Sequence, residues 1–418
     1  MPGLSELRKL DAQDPLKGFR ERFVIDESKL IYLDGNSLGR MPKSVRDLAT
    51  EMMDHQWAKR LIRSWNESWW QKPQEIAAKI AKLIGAEADE VLLGDSTSIN
   101  LFKLAAAALV KQQGRPEILS DDMNFPSDIY VFQGLIKLLD KGHQLTIMPS
   151  DGIYGPAEAL MKHISDNTAL LSLSHTVFKS GYRYDMATIN EAAHQKGALV
   201  LWDLSHSVGS VPVKLNETGA DLAIGCSYKY LNGGPGAPAF LYVRRDLQAQ
   251  LKNPLSGWWG EANPFDFGLS YRPAEGIRRF QVGTQPMLSL AMVEAGVDLL
   301  LEAGMDRVRE KSLSQGQILI DLWRERLAPL GFKLNSPQEG HWRGSHISLG
   351  HDKALGIDLA MIHDKAIIPD FRPPDNIRLG ITPLYTSFEE LYLAVDRMVE
   401  IMEQKLYQPY LQITPTVT

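Results

Sequence analysis

The stretch that decides the fold is Val200-Leu-Trp-Asp-Leu-Ser-His-Ser-Val-Gly-Ser210, with its continuation Leu222-Ala-Ile-Gly-Cys-Ser-Tyr-Lys-Tyr-Leu-Asn-Gly-Gly-Pro-Gly236. The first part is an apolar run that ends in a carboxylate, Asp203, with His206 three residues on. The second is an apolar run that delivers Ser227, Tyr228 and Lys229 into a glycine-rich turn. Two buried strands, each ending in polar residues, fit this pattern. In open α/β sheets ligands sit at the carboxyl ends of the strands. An acid, an imidazole, a phenol and an amine at one sheet edge form a candidate reaction site.

Working outward, short apolar runs stand at Val91–Leu93, Glu117–Ser120, Gln144–Met148, Ala169–Leu173, Ala198–Trp202, Leu222–Ile224 and Ala239–Val243. Helix-like segments separate several of them, at Ile99–Val110, Asp128–Leu139, Pro156–Ile164 and Met186–Lys196. Near-continuous apolar strands alternating with helices predict an α/β fold, a mostly parallel sheet covered on both faces. The expected division is an N-terminal arm over 1–47, a large domain over 48–288 and a small α+β domain over 289–418. The arm carries a short strand, Ile31–Leu33, and is expected to pack with the small domain. The Trp-rich Arg63–Trp70 shows no clean period and reads as a loop. The tail Gln412–Thr418 reads as frayed.

Composition narrows the function. The chain has 418 residues, a net charge of -6 and a single cysteine, Cys226. An acidic balance argues against a nucleic-acid partner. One cysteine excludes an intramolecular disulfide and a cysteine-cluster metal site, and fits a cytoplasmic protein. No metal site is expected. The N-terminal segment lacks an apolar h-region, so no secretory signal is expected. No run of about twenty apolar residues is present to suggest a membrane span.

Lys229 and Asp203 suit pyridoxal 5'-phosphate (PLP). A lysine amine would carry the cofactor as a Schiff base, and an acid would keep the pyridine nitrogen protonated, so that the ring draws off electrons. The anion cradle is expected at Asp95-Ser-Thr-Ser-Ile-Asn100, between a strand and a helix, with Thr97 and Ser98 as donors. In Asn124-Phe-Pro-Ser-Asp128, Phe125 could stack on the ring and Asp128 could add a second carboxylate. A hydrophobic staple with a helix cap explains that segment equally well.

Phe-Pro-Ser-Asp128, Asp203-Leu-Ser-His, the block from Cys226 to Gly236, Gly257-Trp-Trp-Gly260, Phe371-Arg-Pro-Pro and Ile377-Arg-Leu-Gly380 together resemble the kynureninases, in order and over nearly the whole chain. The resemblance implies a fold-type I PLP enzyme of the class V aminotransferase group. It would act as a homodimer with active sites at the interface and hydrolyse L-kynurenine to anthranilate and L-alanine. It implies that Lys229 holds PLP, Asp203 pairs the pyridine nitrogen and His206 lies close to the ring and substrate. Thr97, Ser98 and Tyr228 would bind phosphate. Phe125, Pro126, Ser127 and Asp128 would lie along the ring, and Ser174 would contact the cofactor. Trp258 would reach the phosphate from the partner subunit. Thr284 would meet cofactor or substrate, and Arg378 would grip the substrate carboxylate. Tyr228 is the expected proton donor beside Lys229. Arg372 is either a second functional arginine or a structural ion pair. Thr284 and Trp65 resemble the members that prefer kynurenine over its 3-hydroxy form.

Three rival readings share the fold. A cysteine desulfurase needs a reactive thiol late in the chain, and Cys226 lies on a strand instead. An aminotransferase could use Lys229 and Asp203 equally, although the Trp258 block argues against it. A non-catalytic scaffold would not need every expected position filled.

Overall fold

The computed structural model describes residues 3–413. Residues 414–418, most of the tail expected to fray, lie outside the described residues.

A seven-stranded sheet forms the large body. Its order is Val91–Leu93, Phe240–Val243, Leu222–Gly225, Leu199–Asp203, Thr168–Ser174, Glu117–Asp121 and Gln144–Met148. Only Phe240–Val243 runs against its neighbours; the other pairs are parallel. The four strands at the centre are buried along their whole length. That burial explains why the sequence shows apolar runs and no alternation. The edge strand Gln144–Met148 stays partly exposed, as an edge strand does. Separate apolar clusters cover the two faces, one containing Trp202 and Val293, the other Leu104 and Leu170. The α/β fold with a mostly parallel sheet is therefore as the sequence predicts.

A four-stranded antiparallel sheet forms the second layer system, in the order Asp370–Arg372, Asn376–Gly380, His346–Gly350 and Lys333–Leu334. Helices Met305–Leu322, Ala354–Lys365 and Phe388–Glu403 accompany it. The N-terminal segment is tied to this sheet system. Ile31–Tyr32 pairs in parallel with Ile367–Ile368. Leu7, Ile31 and Leu33 join the same apolar cluster as Ile377 and Val395. The Asp11 carboxylate accepts from the backbone N–H of Phe388 and Glu389 at 2.8 and 2.9 Å, capping the C-terminal helix from outside.

The Trp-rich segment corrects the sequence reading. It is helical: Ser44–Thr50 runs into wide turns over Glu51–Arg60 and again over Trp65–Trp69. The Trp70 N–H bonds to the Trp65 carbonyl, an i to i+5 spacing. Such turns break the 3.6-residue period that a helix search relies on.

One glycine fixes how the long helix Met287–Ala303 meets the lysine loop. A Cβ on Gly296 would stand 1.9 Å from the Leu231 carbonyl oxygen, two residues beyond Lys229. Both partners are main chain, so relief requires moving the loop. Gly296→Ala should lower the unfolding free energy by about 1–3 kcal/mol. The check is a fall in the urea midpoint at unchanged slope.

Candidate active site

The parallel strands deliver their polar termini to one edge of the sheet. There a cavity of about 570 Å³ is lined by Thr97, Ser98, Phe125, Ser127, Asp128, Asp203, His206, Tyr228, Lys229 and Thr284. All ten are predicted site residues. Asp95 and Ser96, inside the segment expected to form the anion cradle, also line it, and Ser205, the segment Gly236–Ala239, Gln285 and Pro286, which were not singled out, complete the wall.

Lys229 leaves the strand Leu222–Gly225 and lies with its Nζ 3.4 Å from His206 Nε2. The same amine stands 5.8 Å from the Phe125 ring centroid and 5.9 Å from that of Tyr228. Burial pushes the amine below the ordinary lysine value; Cys226 and Asp203 oppose that push, and Arg378 and Arg372 add to it. An amine moved toward neutrality is a better nucleophile and base. His206 is held well below its ordinary value by burial and by Lys229 and Arg378, so it stays a neutral ring beside the amine.

Two buried carboxyls line the same cavity. Asp203 Oδ1 accepts from the Ser205 N–H at 2.8 Å. Burial raises its pKa, while Ser205 and Lys229 pull it down. Asp128 is raised well above the carboxylate range by burial, with Asp203 adding to the effect. Its Oδ2 has no hydrogen-bond partner. Buried orphan oxygens are costly unless a ligand meets them.

The third wall is the start of the helix Thr97–Lys111. Ser96 caps it, accepting from the Ile99 N–H at 3.4 Å. Asp95, just before, adopts a left-handed conformation with φ 56°. Buried Lys103 locks it there, donating to Asp95 at 2.8 Å and to the Phe280 carbonyl at 2.7 Å. The helix N-terminus, with the Thr97 and Ser98 hydroxyls, therefore faces the cavity as a preformed anion cradle. Ser98 and Ser127 hydroxyls lie 3.2 Å apart, joining the cradle to the helix Pro126–Leu139, where Pro126 occupies the first turn.

Five predicted residues lie off this cavity, Pro126 among them, in the first turn of its helix. Ser174 is buried at the end of its strand, and its hydroxyl donates to Asn124 Oδ1 at 2.8 Å. Asn124 in turn accepts from the Phe125 N–H at 2.9 Å. Ser174 therefore reaches the site through Asn124, which was not predicted although it opens the quoted Phe-Pro-Ser-Asp segment. Trp65 and Trp258 line a neighbouring aromatic cavity of about 620 Å³ with Trp70, Trp259 and Phe265. Thr284 lines both cavities and joins them. Arg378 is buried in the small sheet. Its Nη1 donates to the Phe178 carbonyl at 2.7 Å, its Nη2 to Ser37 Oγ at 3.1 Å, and it is ion-paired to Asp370. Arg372 also pairs with Asp370, at 2.8 Å. Asp370 and Ser37 were missed, because Asp370 faces Arg378 only through a cross-strand register that sequence does not display.

PLP can be tested against these walls. It requires an amine, an acid for its ring nitrogen, an anion cradle and an apolar face. The cavity offers Lys229, Asp203, the Thr97 helix start and Phe125, and Asp128, whose Oδ2 is buried without a hydrogen-bond partner, also lines it. The residues fit the cofactor.

Comparison with known proteins gives the same direction. The family model described as aminotransferase class-V matches residues 31–368. A kynureninase of Pseudomonas fluorescens is 42% identical over 415 residues, 98% of each chain. A kynureninase of Burkholderia mallei is 41% identical over 408 residues, 96% of each. Among solved structures, a cysteine desulfurase from Thermococcus onnurineus superposes with a TM-score of 0.79 at 20% identity, covering 93% of this chain and 98% of that one. A C-DES mutant with glycine linked to its PLP cofactor superposes with a TM-score of 0.76 at 18% identity, covering 96% of this chain and 100% of that one. These two likenesses establish the fold alone.

The raised Asp128 carboxyl has a measurable consequence. Its folded pKa lies above its unfolded one, so its contribution to stability falls as pH rises and is least unfavourable below the ordinary aspartate range. Asp128→Asn should therefore raise the melting temperature of the cofactor-free protein at neutral pH. The gain should vanish at about pH 3, as read by differential scanning calorimetry across that range.

Proposed function

The chain belongs to the kynureninase family, within aminotransferase class V, and we propose that it hydrolyses the Cβ–Cγ bond of L-kynurenine to anthranilate and L-alanine with PLP held at Lys229. The observation that carries this reading is one cavity lined together by the Lys229 amine, His206 beside it, Asp203 and the Thr97–Ser98 helix start.

Bound there, PLP supplies an electron sink for the charge released when bonds at the substrate's α- and β-carbons break. Asp203 would hold a proton at the pyridine nitrogen, which a buried carboxylate stabilises. Thr97, Ser98 and Tyr228 would bind the phosphate, and Phe125 would cover one face of the ring. Lys229, moved toward neutrality by burial, takes the substrate Cα proton and returns it. Tyr228 keeps its phenolic proton, since the Cys226 beside it and burial both raise its pKa. It is the proton donor in the later steps. Arg378 grips the α-carboxylate, a task that a planar guanidinium suits. The aromatic cavity shared through Thr284 would take the aryl end of the substrate.

Two further points rest on the resemblance. The working form would be a homodimer in which Trp258 reaches the partner's phosphate. Phe265, Phe267 and Leu269 support this, being 64%, 74% and 105% exposed on one short segment near Trp258. The enzyme would be cytoplasmic, consistent with a lone buried thiol at Cys226. Among the described residues no helix is long and apolar enough to cross a membrane.

Protein supplied with PLP should show the visible absorption of a lysine-linked cofactor, and Lys229→Ala should abolish it. Added L-kynurenine should release fluorescent anthranilate. Transamination of alanine without anthranilate would sink the reading in favour of an aminotransferase. Tyr228→Phe should lower kcat by roughly a hundred- to ten-thousandfold while the cofactor absorption remains. Thr284→Asn should lower the ratio of kcat/KM for kynurenine to that for 3-hydroxykynurenine, measured on both substrates.

A further inference from the structure

Asp370 sits between two arginines and gives one oxygen to each. Oδ1 pairs with Arg372 Nη1 at 2.8 Å. Oδ2 pairs with Arg378 and accepts from Ser37 Oγ at 3.2 Å. Asp370 and Arg378 are almost wholly enclosed, with side chains 2% and 1% exposed, whereas Arg372 is 33% exposed at the rim. Arg378 has spent most of its donors: Nη1 on the Phe178 carbonyl and Nη2 on Ser37 and Asp370. Its Nε is buried without a partner. A guanidinium grips a carboxylate best with two parallel N–H groups. The fork containing Nε can open only if Nη2 gives up a present partner. The other two acceptors are a backbone carbonyl and a hydroxyl whose own proton is committed to Asp370, so Asp370 is the partner with somewhere else to go.

We propose that Arg372 is a positioning residue that takes over the charge of Asp370 when a substrate carboxylate occupies Arg378. The three side chains form an exchange: Asp370 holds the Arg378 fork in place, then shifts its pairing toward Arg372 as the incoming anion takes the Nε and Nη2 donors. Without Arg372, Asp370 would remain on Arg378 alone and compete with the substrate carboxylate. No covalent change is involved. Asp34 also faces both arginines and adds negative charge, and Asp358 faces Arg372, which sharpens the need for a second cation there. This inference rests on the reading of Arg378 as the carboxylate grip.

The test is steady-state anthranilate release from L-kynurenine by the PLP-loaded enzyme. Arg378→Gln examines the underlying reading and should raise KM by more than about a hundredfold. Arg372→Met should raise KM by about tenfold with kcat within about threefold, while Arg372→Lys should stay near the wild type. The double variant Arg372→Met with Asp370→Asn removes both opposed charges and should bring KM back toward the wild-type value. A merely structural pair would make the double variant at least as poor as either single change. If Arg372→Met does not fold, Arg372→Gln removes the charge and keeps a polar head for the same comparison. An unmoved KM in Arg378→Gln overturns the carboxylate reading and the exchange with it. A raised KM there with an unmoved KM in the charge-removing Arg372 variant, or no recovery in the double variant, overturns the exchange alone.

Discussion

A primary amine held partly buried on a cavity wall, without a carboxylate in salt-bridge contact, is the constraint on which the rest of this structure depends. Lys229 has His206 as its nearest polar neighbour, at 3.4 Å, and among the described residues no acid is ion-paired to it. Desolvation penalises its charge, and removing water without supplying a counterion keeps the amine reactive. The surrounding chain must hold that amine in place by shape. Gly39 donates its N–H to the Tyr228 carbonyl at 2.9 Å, and any Cβ on Gly39 would fall 2.3 Å from the Lys229 carbonyl oxygen. Gly296 presses the long helix against the other side of the loop. Main-chain contacts of this kind cannot be exchanged rotamer by rotamer, so the lysine is fixed more firmly than its flexible side chain suggests.

The same seam explains why the N-terminal segment and the small sheet converge on the site. The turn that holds Gly39 against the lysine loop also holds Ser37 against Arg378 and Asp370. Arg378 reaches from the small sheet to the Phe178 carbonyl, which follows the central strand Thr168–Ser174. One turn of the N-terminal arm therefore ties the position of the amine to the position of the arginine. The distance between the proposed Schiff-base amine and the proposed carboxylate grip is then a property of packed backbone, which is what orientation of an amino-acid substrate would demand.

Much of this was legible in the sequence, for identifiable reasons. The apolar runs reveal the sheet because its central strands are buried on both faces and tolerate no polar alternation. Asp203, Lys229 and Thr97 are legible because each lies at the end of such a run, where a polar residue has no packing reason to be. What stayed hidden depends on contacts between distant segments. Asp370 meets Arg378 by antiparallel register, and Ser37 meets them across more than three hundred residues. Asn124 was in view, but its role as the link between Ser174 and the Phe125 backbone is a matter of side-chain geometry. The wide helical turns around Trp65 were missed because their period is not that of an α-helix.

The resemblance in shape to cysteine desulfurases sharpens what separates the chemistries. At 20% identity the scaffold is shared and the site need not be. Cys226 is 2% exposed, and burial raises its pKa, both of which make a poor nucleophile. The space beside the candidate cofactor cavity is lined instead by Trp65, Trp70, Trp258 and Trp259, with Thr284 at the junction. Tryptophan faces offer a broad, flat apolar surface and no reactive atom. Such a wall suits an aryl group that is to be held while a bond beyond it is broken by groups in the adjoining cavity. On the proposed reading, the same parallel sheet edge would serve a carbon–carbon cleavage because its neighbour would recognise a ring, and the polar edge itself would need only to be the general PLP site that the lysine, aspartate and helix start can make.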